Sequence, residues 1–215
     1  ADGCCEIWLT STDNGCYGFD FNSDLPELVN TVSQIPEKFF MRVGMMNPMY
    51  MPRIRDGLLK SFESAKVFKF LHIPVQSGSD KVLNDMKRGH TAQTFRDVTN
   101  HFRNKFEKFT ISTDIIVGFP TETVDDFEQT LQLLQETKPD IVNLSRYSRR
   151  PATDAAEMKQ IDVAEVKRRS KIAKEFITKI SKEKNINRFI AVDVGDINGN
   201  GRDEIFVTNQ YSDQP

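Results

Sequence analysis

Phe70-Leu-His-Ile-Pro-Val-Gln-Ser-Gly-Ser-Asp80 and, downstream, Thr113-Asp-Ile-Ile-Val-Gly-Phe-Pro-Thr-Glu-Thr123 decide the fold class of this chain. Each is an apolar run that stops in a small, polar turn marked by Gly or Pro and then enters a helical pattern. A parallel α/β barrel presents its chemistry in this way, at the carboxyl ends of its strands. Working outward, the strand candidates are Glu6–Leu9, Phe39–Val43, Val67–Ile73, Thr110–Val117 and Ile141–Tyr147. They are short apolar runs without clean alternation, as expected of strands covered on both faces.

Helical patterns separate them. Ile54, Leu58 and Phe62 repeat every fourth residue, and Pro52 suits a first turn. Val82, Leu83 and Met86 follow Ser79-Asp80, and Phe127, Leu131 and Leu134 follow a Thr123/Asp126 capping-box pattern. A charged helix is predicted from Asp162 to Lys184, with Val163, Val166, Ile172, Phe176, Ile177 and Ile180 on its apolar side. Its Lys167-Arg168-Arg169-Ser-Lys171 run reads as a solvated face in preference to a strip along a phosphate backbone. Alternating strands and helices imply parallel pairing and right-handed crossovers.

Composition bounds the function. With 215 residues, 38% hydrophobic and 28% charged, the chain can bury a substantial core as one α/β unit. A net charge of −2 gives no global attraction to nucleic acid, so RNA contact would need local basic patches. No apolar run is long enough to span a membrane, and no signal peptide is evident. The chain lacks an initial Met and begins almost inside a strand, which suggests a piece of a longer protein. The cysteines are Cys4, Cys5 and Cys16, read as small buried or half-buried residues of a reduced intracellular protein.

Together with Glu6-Ile-Trp-Leu-Thr-Ser-Thr-Asp-Asn14 and Met41-Arg-Val-Gly-Met-Met-Asn-Pro48, these words resemble the radical S-adenosylmethionine core of the tRNA methylthiotransferases. The resemblance runs from about Gly3 to about Lys184 and looks most like the branch that modifies threonylcarbamoyladenosine beside the anticodon. It implies a partial parallel (β/α) barrel over residues 1–184, S-adenosylmethionine as cofactor, a 4Fe–4S cluster in the full-length protein, tRNA as partner, and a cytoplasmic monomer. The family's C-x3-C-x2-C cluster motif is nowhere in this chain. By the resemblance, the strand that carries it is absent too, leaving five strands of six.

The resemblance also nominates site residues. Thr12 and Asp13 match the segment that meets the methionine amino group; Asp13 is either a partner for that ammonium or a helix N-cap. Arg42 would pair with a cofactor carboxylate or a phosphate, or form a structural salt bridge. Gln76 and Ser77 lie where their strand ends, and Gly78 permits a turn and close backbone approach. Gly118-Phe-Pro120 would make a turn against which an adenine lies. Asp114 is costly in an apolar strand unless paired, as a structural partner or a cofactor-orienting group. His72 reads as a satisfied core residue, and Glu122 as a helix-start acid or a site residue. Arg146, Arg149 and Arg150 suit an RNA backbone or a cofactor carboxylate. Ala152 stands where the family's closing word has a glycine, which argues against a positive φ there.

The last residues, 185–215, depart from that family. Asp196, Asn198, Asn200 and Glu204, with the carbonyl of Arg202 and the turn at Gly201, have calcium-loop spacing between two strands of a hairpin, Phe189–Val194 and Glu204–Thr208. The segment resembles the calcium loop of FG-GAP or VCBS propeller repeats, either as a chimeric join or as a divergent hairpin; with Val207 rather than Glu at position twelve, an Asn-Gly turn without metal is the alternative reading. Two further readings are a calcium-binding structural module and another radical S-adenosylmethionine reaction on the same barrel.

Overall fold

The computed structural model describes residues 3–184 together with strands Val192–Gly195 and Glu204–Val207. The elements run β1 (Glu6–Leu9), α1 (Leu25–Ser33), β2 (Phe40–Val43), α2 (Met51–Ser61), β3 (Phe70–His72), α3 (Asp80–Asp85), α4 (Ala92–Lys105), β4 (Thr110–Val117), α5 (Val124–Thr137), β5 (Ile141–Arg146), α6 (Asp154–Glu157), α7 (Val163–Glu183), β6 (Val192–Gly195) and β7 (Glu204–Val207). β1 pairs parallel with β2, and β3, β4 and β5 form a second parallel set. A parallel bridge, Met41 to Val67, joins the two sets into the order β1-β2-β3-β4-β5. Among the described residues β1 and β5 each have one neighbour, so the barrel is open, as expected.

Helices cover one face of this sheet. Met41, Val43, Leu71, Ile73, Ile111, Ile115 and Val117 are buried with Ile54 and Leu58 of α2, Phe95 and Phe102 of α4, Phe127 and Leu134 of α5, and Ala173 and Ile180 of α7, in one core. Alternation along the strands sends the intervening residues to the opposite face. There the aromatics stay accessible: Trp8 is 58% exposed and Phe40 53%. β6 and β7 pair antiparallel, as the hairpin reading requires.

Three expectations are corrected. The expected long third strand, Val67–Ile73, is split: Val67 bridges to β2, and only Phe70–His72 pairs with β4. Pro74 lacks the N–H that would extend the ladder. On α7, Ile172, Phe176, Ile177 and Ile180 face the core as expected, but Val163 is 66% exposed and the buried line also runs through Arg169 and Ala173. Ala152 does adopt a positive φ, 61°, a conformation that suits the glycine it replaces.

Gly78 sets how closely the loop after β3 approaches α5. A Cβ there would lie 2.4 Å from the Gln129 carbonyl oxygen and 2.5 Å from the Thr130 Cα, both backbone atoms that cannot yield cheaply. Gly78→Ala is expected to destabilise the fold by about 1–3 kcal/mol through overpacking, measured as a lowered urea midpoint at constant m.

Candidate functional site at the carboxyl ends of the strands

Side chains staple the loops beyond the strands to one another. Asp13 Oδ1 accepts from Gly15 N at 2.9 Å and from Asn47 N at 3.1 Å, tying the β1 loop to the β2 loop. Asn14 Nδ2 donates to the Met45 carbonyl at 3.0 Å, and Met46 N donates to the His72 carbonyl at 3.0 Å. Asp13 and Gln76 therefore lie on the same end of the sheet. Of its two sequence readings, Asp13 fulfils the cap, opening the short 3-10 turn Asn14–Cys16. Thr12 is exposed beside it.

Gln76 is the conformational outlier of this rim. Its φ is 71°, rare outside glycine, and its backbone is fixed there by Gln76 N to the Asp114 carbonyl (2.8 Å) and Ile116 N to its own carbonyl (2.9 Å). Residues held this way cluster at ligand sites. The side chain is 7% exposed, and its amide makes no hydrogen bond among the described residues. Ser77 differs. Its hydroxyl lies 3.3 Å from Thr130 Oγ1 and accepts from Ser79 N at 3.2 Å, so it serves the packing of α5.

On the face away from the helices, Asp114 is paired, as a carboxylate in a strand must be. His72 Nε2 lies 2.9 Å from its Oδ1, and Asn143 Nδ2 donates to the same oxygen at 2.7 Å. Strand register brings them together: His72 opposes Ser112, and Asp114 opposes Asn143. His72 is therefore a partner in a polar network rather than a core residue. Asn143 was not singled out in the sequence, because one Asn in an apolar strand gives no signal until register is known. Arg42 is stacked between aromatic rings, 4.8 Å from the centroid of Trp8 and 4.6 Å from that of Phe70. Burial pushes its guanidinium down from the ordinary value, opposed by Glu6.

Glu122 is neither a helix-start acid nor open to the rim. It is 3% exposed, accepts from Gly118 N at 2.8 Å and from Arg169 Nη1 at 2.8 Å, and leaves Oε1 buried without a partner among the described residues. Burial pushes its carboxyl up, against the pull of Arg169 and the Gly118 N–H. Arg169, only 4% exposed, departs from the solvated reading of its basic run. Its Nη1 also donates to the Glu122 carbonyl at 2.9 Å, and its Nε to Glu165 at 2.8 Å. Val166, one turn earlier, fills the space over Gly118, 2.7 Å from where a Cβ would stand. The Gly118 turn is thus backed by α7.

The remaining arginines divide. Arg146 and Arg150 are exposed, and among the described residues Arg149 makes a long contact of 3.8 Å to Glu157, both largely in solvent. Their charges stay available to a polyanion. The calcium-loop residues Asp196, Asn198, Asn200 and Arg202 lie outside the described residues, and of Glu204 only the backbone is described.

The donor set does not fit an iron–sulfur cluster. Cys4 and Cys5 are exposed before the amino end of β1, whereas Cys16 follows its carboxyl end. No group of three His, Cys, Asp or Glu among the described residues is arranged to hold a metal. The rim does fit a small polar organic cofactor, since Gln76 and Asp114 keep hydrogen-bonding capacity that the fold does not consume.

The family model of the Radical SAM superfamily matches residues 10–134. The chain belongs to that superfamily. A relative from Methanothermobacter thermautotrophicus, named a probable threonylcarbamoyladenosine tRNA methylthiotransferase, is 46% identical over 185 residues, covering 86% of this chain and 44% of its own length. The threonylcarbamoyladenosine tRNA methylthiotransferase of Drosophila melanogaster is 46% identical over 172 residues, covering 80% of this chain and 31% of its own. The chain thus spans less than half the length of the curated relatives it matches. Among solved structures, coproporphyrinogen III oxidase (HemN) from Escherichia coli superposes with a TM-score of 0.58 at 20% identity, over 73% of this chain and 37% of that one. This last likeness carries the radical SAM fold alone.

One carboxylate links two of the rim loops. Burial works to raise the Asp126 carboxyl, but hydrogen bonds from Ser79 Oγ (2.6 Å), Thr123 N (2.8 Å) and Thr123 Oγ1 (2.7 Å) outweigh it, and it titrates well below the usual carboxylate range. A depressed folded pKa gives stability that is present above the unfolded value of about 3.9 and is lost as pH falls below it. Asp126→Asn is therefore expected to be less stable than the parent at neutral pH, with the difference shrinking on acidification. Urea midpoints measured between about pH 7 and pH 3 check this; a constant difference would contradict it.

Proposed function

We propose that this chain forms part of the catalytic domain of a tRNA methylthiotransferase acting on threonylcarbamoyladenosine beside the anticodon. The observation that supports the reading most is the 46% identity over 185 residues to a protein of that name, which extends well past the superfamily match. S-adenosylmethionine would supply the adenosyl and methyl groups that such a reaction consumes. In this reading the residues of the chain bind and orient. Gln76 and the loops of Thr12, Asp13 and Gly118 face the cofactor; Arg42, stacked on Trp8 and Phe70, holds a positive charge on the same sheet face as Asp114; Ser77 shapes the loop. Arg146, Arg149 and Arg150 carry charge to the RNA backbone, which suits positioning contacts that read no sequence. The cluster thiolates would come from outside these residues. The soluble monomer and the cytoplasm belong to the same proposal; no helix among the described residues is long and apolar enough to cross a membrane.

A chimera tests it. Residues 3–184 replace the aligned segment of the Methanothermobacter relative, and nucleosides from digested tRNA are analysed by mass spectrometry. Methylthio product within about tenfold of the parent enzyme is expected. A folded chimera with intact cofactor content and no methylthio nucleoside would sink the reading.

For the tail we propose a weak calcium loop. The antiparallel pairing of Gly195 with Glu204 supports it, because it brackets the loop as the spacing of Asp196, Asn198, Asn200, Arg202 and Glu204 demands. Two carboxylates and two amides predict an affinity of about 10⁻⁴ to 10⁻³ M. Calorimetry at millimolar calcium should show binding that Asp196→Ala abolishes; identical traces would leave only a turn.

A further inference from the structure

The connection between β1 and α1 carries three aromatic residues in five, Tyr17-Gly-Phe-Asp-Phe21. Its backbone closes on itself. Ser23 N and Phe21 N both donate to the Gly18 carbonyl, at 2.8 and 3.1 Å, and Phe19 N donates to the Cys16 carbonyl at 3.4 Å. The rings are fixed in turn. Tyr17 meets Phe21 edge to face with centroids 5.5 Å apart, and Phe19 meets Tyr50 the same way at 5.6 Å. Tyr17, Phe19 and Tyr50 pack against the core, whereas Phe21 is 59% exposed. The loop thus holds one large apolar ring in water on a rigid mount.

A cation lies beside it. Arg53, in the first turn of α2, places its guanidinium over Phe19, 3.8 Å from the ring centroid, and is itself exposed. Among the described residues no acid pairs with Arg53, although Arg55, two residues on, is paired with Asp56 at 2.9 Å. One acid, Asp20, stands exposed in the loop, so the charge of this patch is not of one sign. Whatever it binds is held by stacking first and by charge second.

Unpaired RNA has that chemistry. Splayed bases stack on aromatic rings and on arginine planes, while the phosphates between them accept from guanidinium donors. A duplex keeps its base faces stacked on one another and offers none to such a surface. We propose that Tyr17, Phe21 and Arg53 form a stacking platform for an unpaired RNA segment. The platform is built on the β1–α1 loop and the start of α2, and it shares no residue with the rim site of Gln76 and Asp114. The proposal rests on the reading of a tRNA loop as substrate, and it names the surface that holds nucleotides away from the reacting base.

The test is fluorescence anisotropy at low ionic strength, with the full 215-residue chain titrated into a labelled anticodon stem-loop RNA and into a fully paired duplex of equal length. The stem-loop should bind more tightly than the duplex. Phe21→Ala should weaken stem-loop binding about fivefold to a hundredfold, the range for one stacked base, and leave duplex binding unchanged. Phe21→Trp should keep the affinity, and the emission of its added indole should be quenched by the stem-loop. Arg53→Gln should lower the slope of log affinity against log salt by about 0.7, as for one phosphate contact on a single strand. Matching circular dichroism and melting curves show that the variants are folded. Equal binding of stem-loop and duplex, no binding of the stem-loop, or a Phe21→Ala protein that binds it like the parent would overturn the proposal. So would a Phe21→Ala change confined to self-association in sedimentation, which would assign the face to a second copy of the chain. A folded chimera without methylthio product, alongside stem-loop binding that still depends on Phe21, would remove the methylthiotransferase reading and leave the platform standing.

Discussion

A buried charge must be answered, and in this fold the answer to Glu122 comes from forty-seven residues away, in α7. The carboxylate is buried away from solvent, and Arg169 Nη1 and Gly118 N supply its hydrogen bonds. Losing one partner of such a pair strands the other, at a cost of about 3–5 kcal/mol. The seating of α7, the Gly118 turn and the entry into α5 are therefore one arrangement. Val166 closes it from above, since its methyl groups leave room for nothing larger than hydrogen on Gly118.

The loops beyond β1, β2 and β3 are ordered by a different device, side chains that satisfy backbone groups of a neighbouring loop. Asp13 and Asn14 do this between β1 and β2, while a backbone bond, Met46 N–H to the His72 carbonyl, ties the β2 loop to β3. Such stapling pre-organises a site, because the loops need not be ordered by the ligand. Against that rigid background two groups stand out by being unspent: the amide of Gln76, in a residue held at a positive φ, and the second oxygen of Asp114.

Local chemistry was legible in the sequence and distant partnership was not. Glu6–Leu9 and Thr110–Val117 have the bounds their apolar runs predicted, and Thr123 with Asp126 makes both arms of the predicted capping box. The spacing of Phe95, Val98, Thr99 and Phe102 in α4 becomes informative once the four are seen to be buried together. Arg169 departs from its local pattern for a physical reason. Its neighbours Lys167, Arg168 and Lys171 are solvated, and only the helix phase against Glu122 separates it from them. His72 and Asn143 acquire meaning only through the register of three strands. Neither is written in any local motif.

Asp126 carries one consequence further. It accepts from Thr123 to begin α5, and it also accepts from Ser79, the residue that caps α3, and from Lys81 at 3.2 Å. The first turns of two helices far apart in sequence thus draw on a single carboxylate. Neither helix start can fray without exposing the acceptor of the other, so α3 and α5 share one cooperative opening unit, and the loops they anchor inherit a common lifetime in native-state hydrogen exchange.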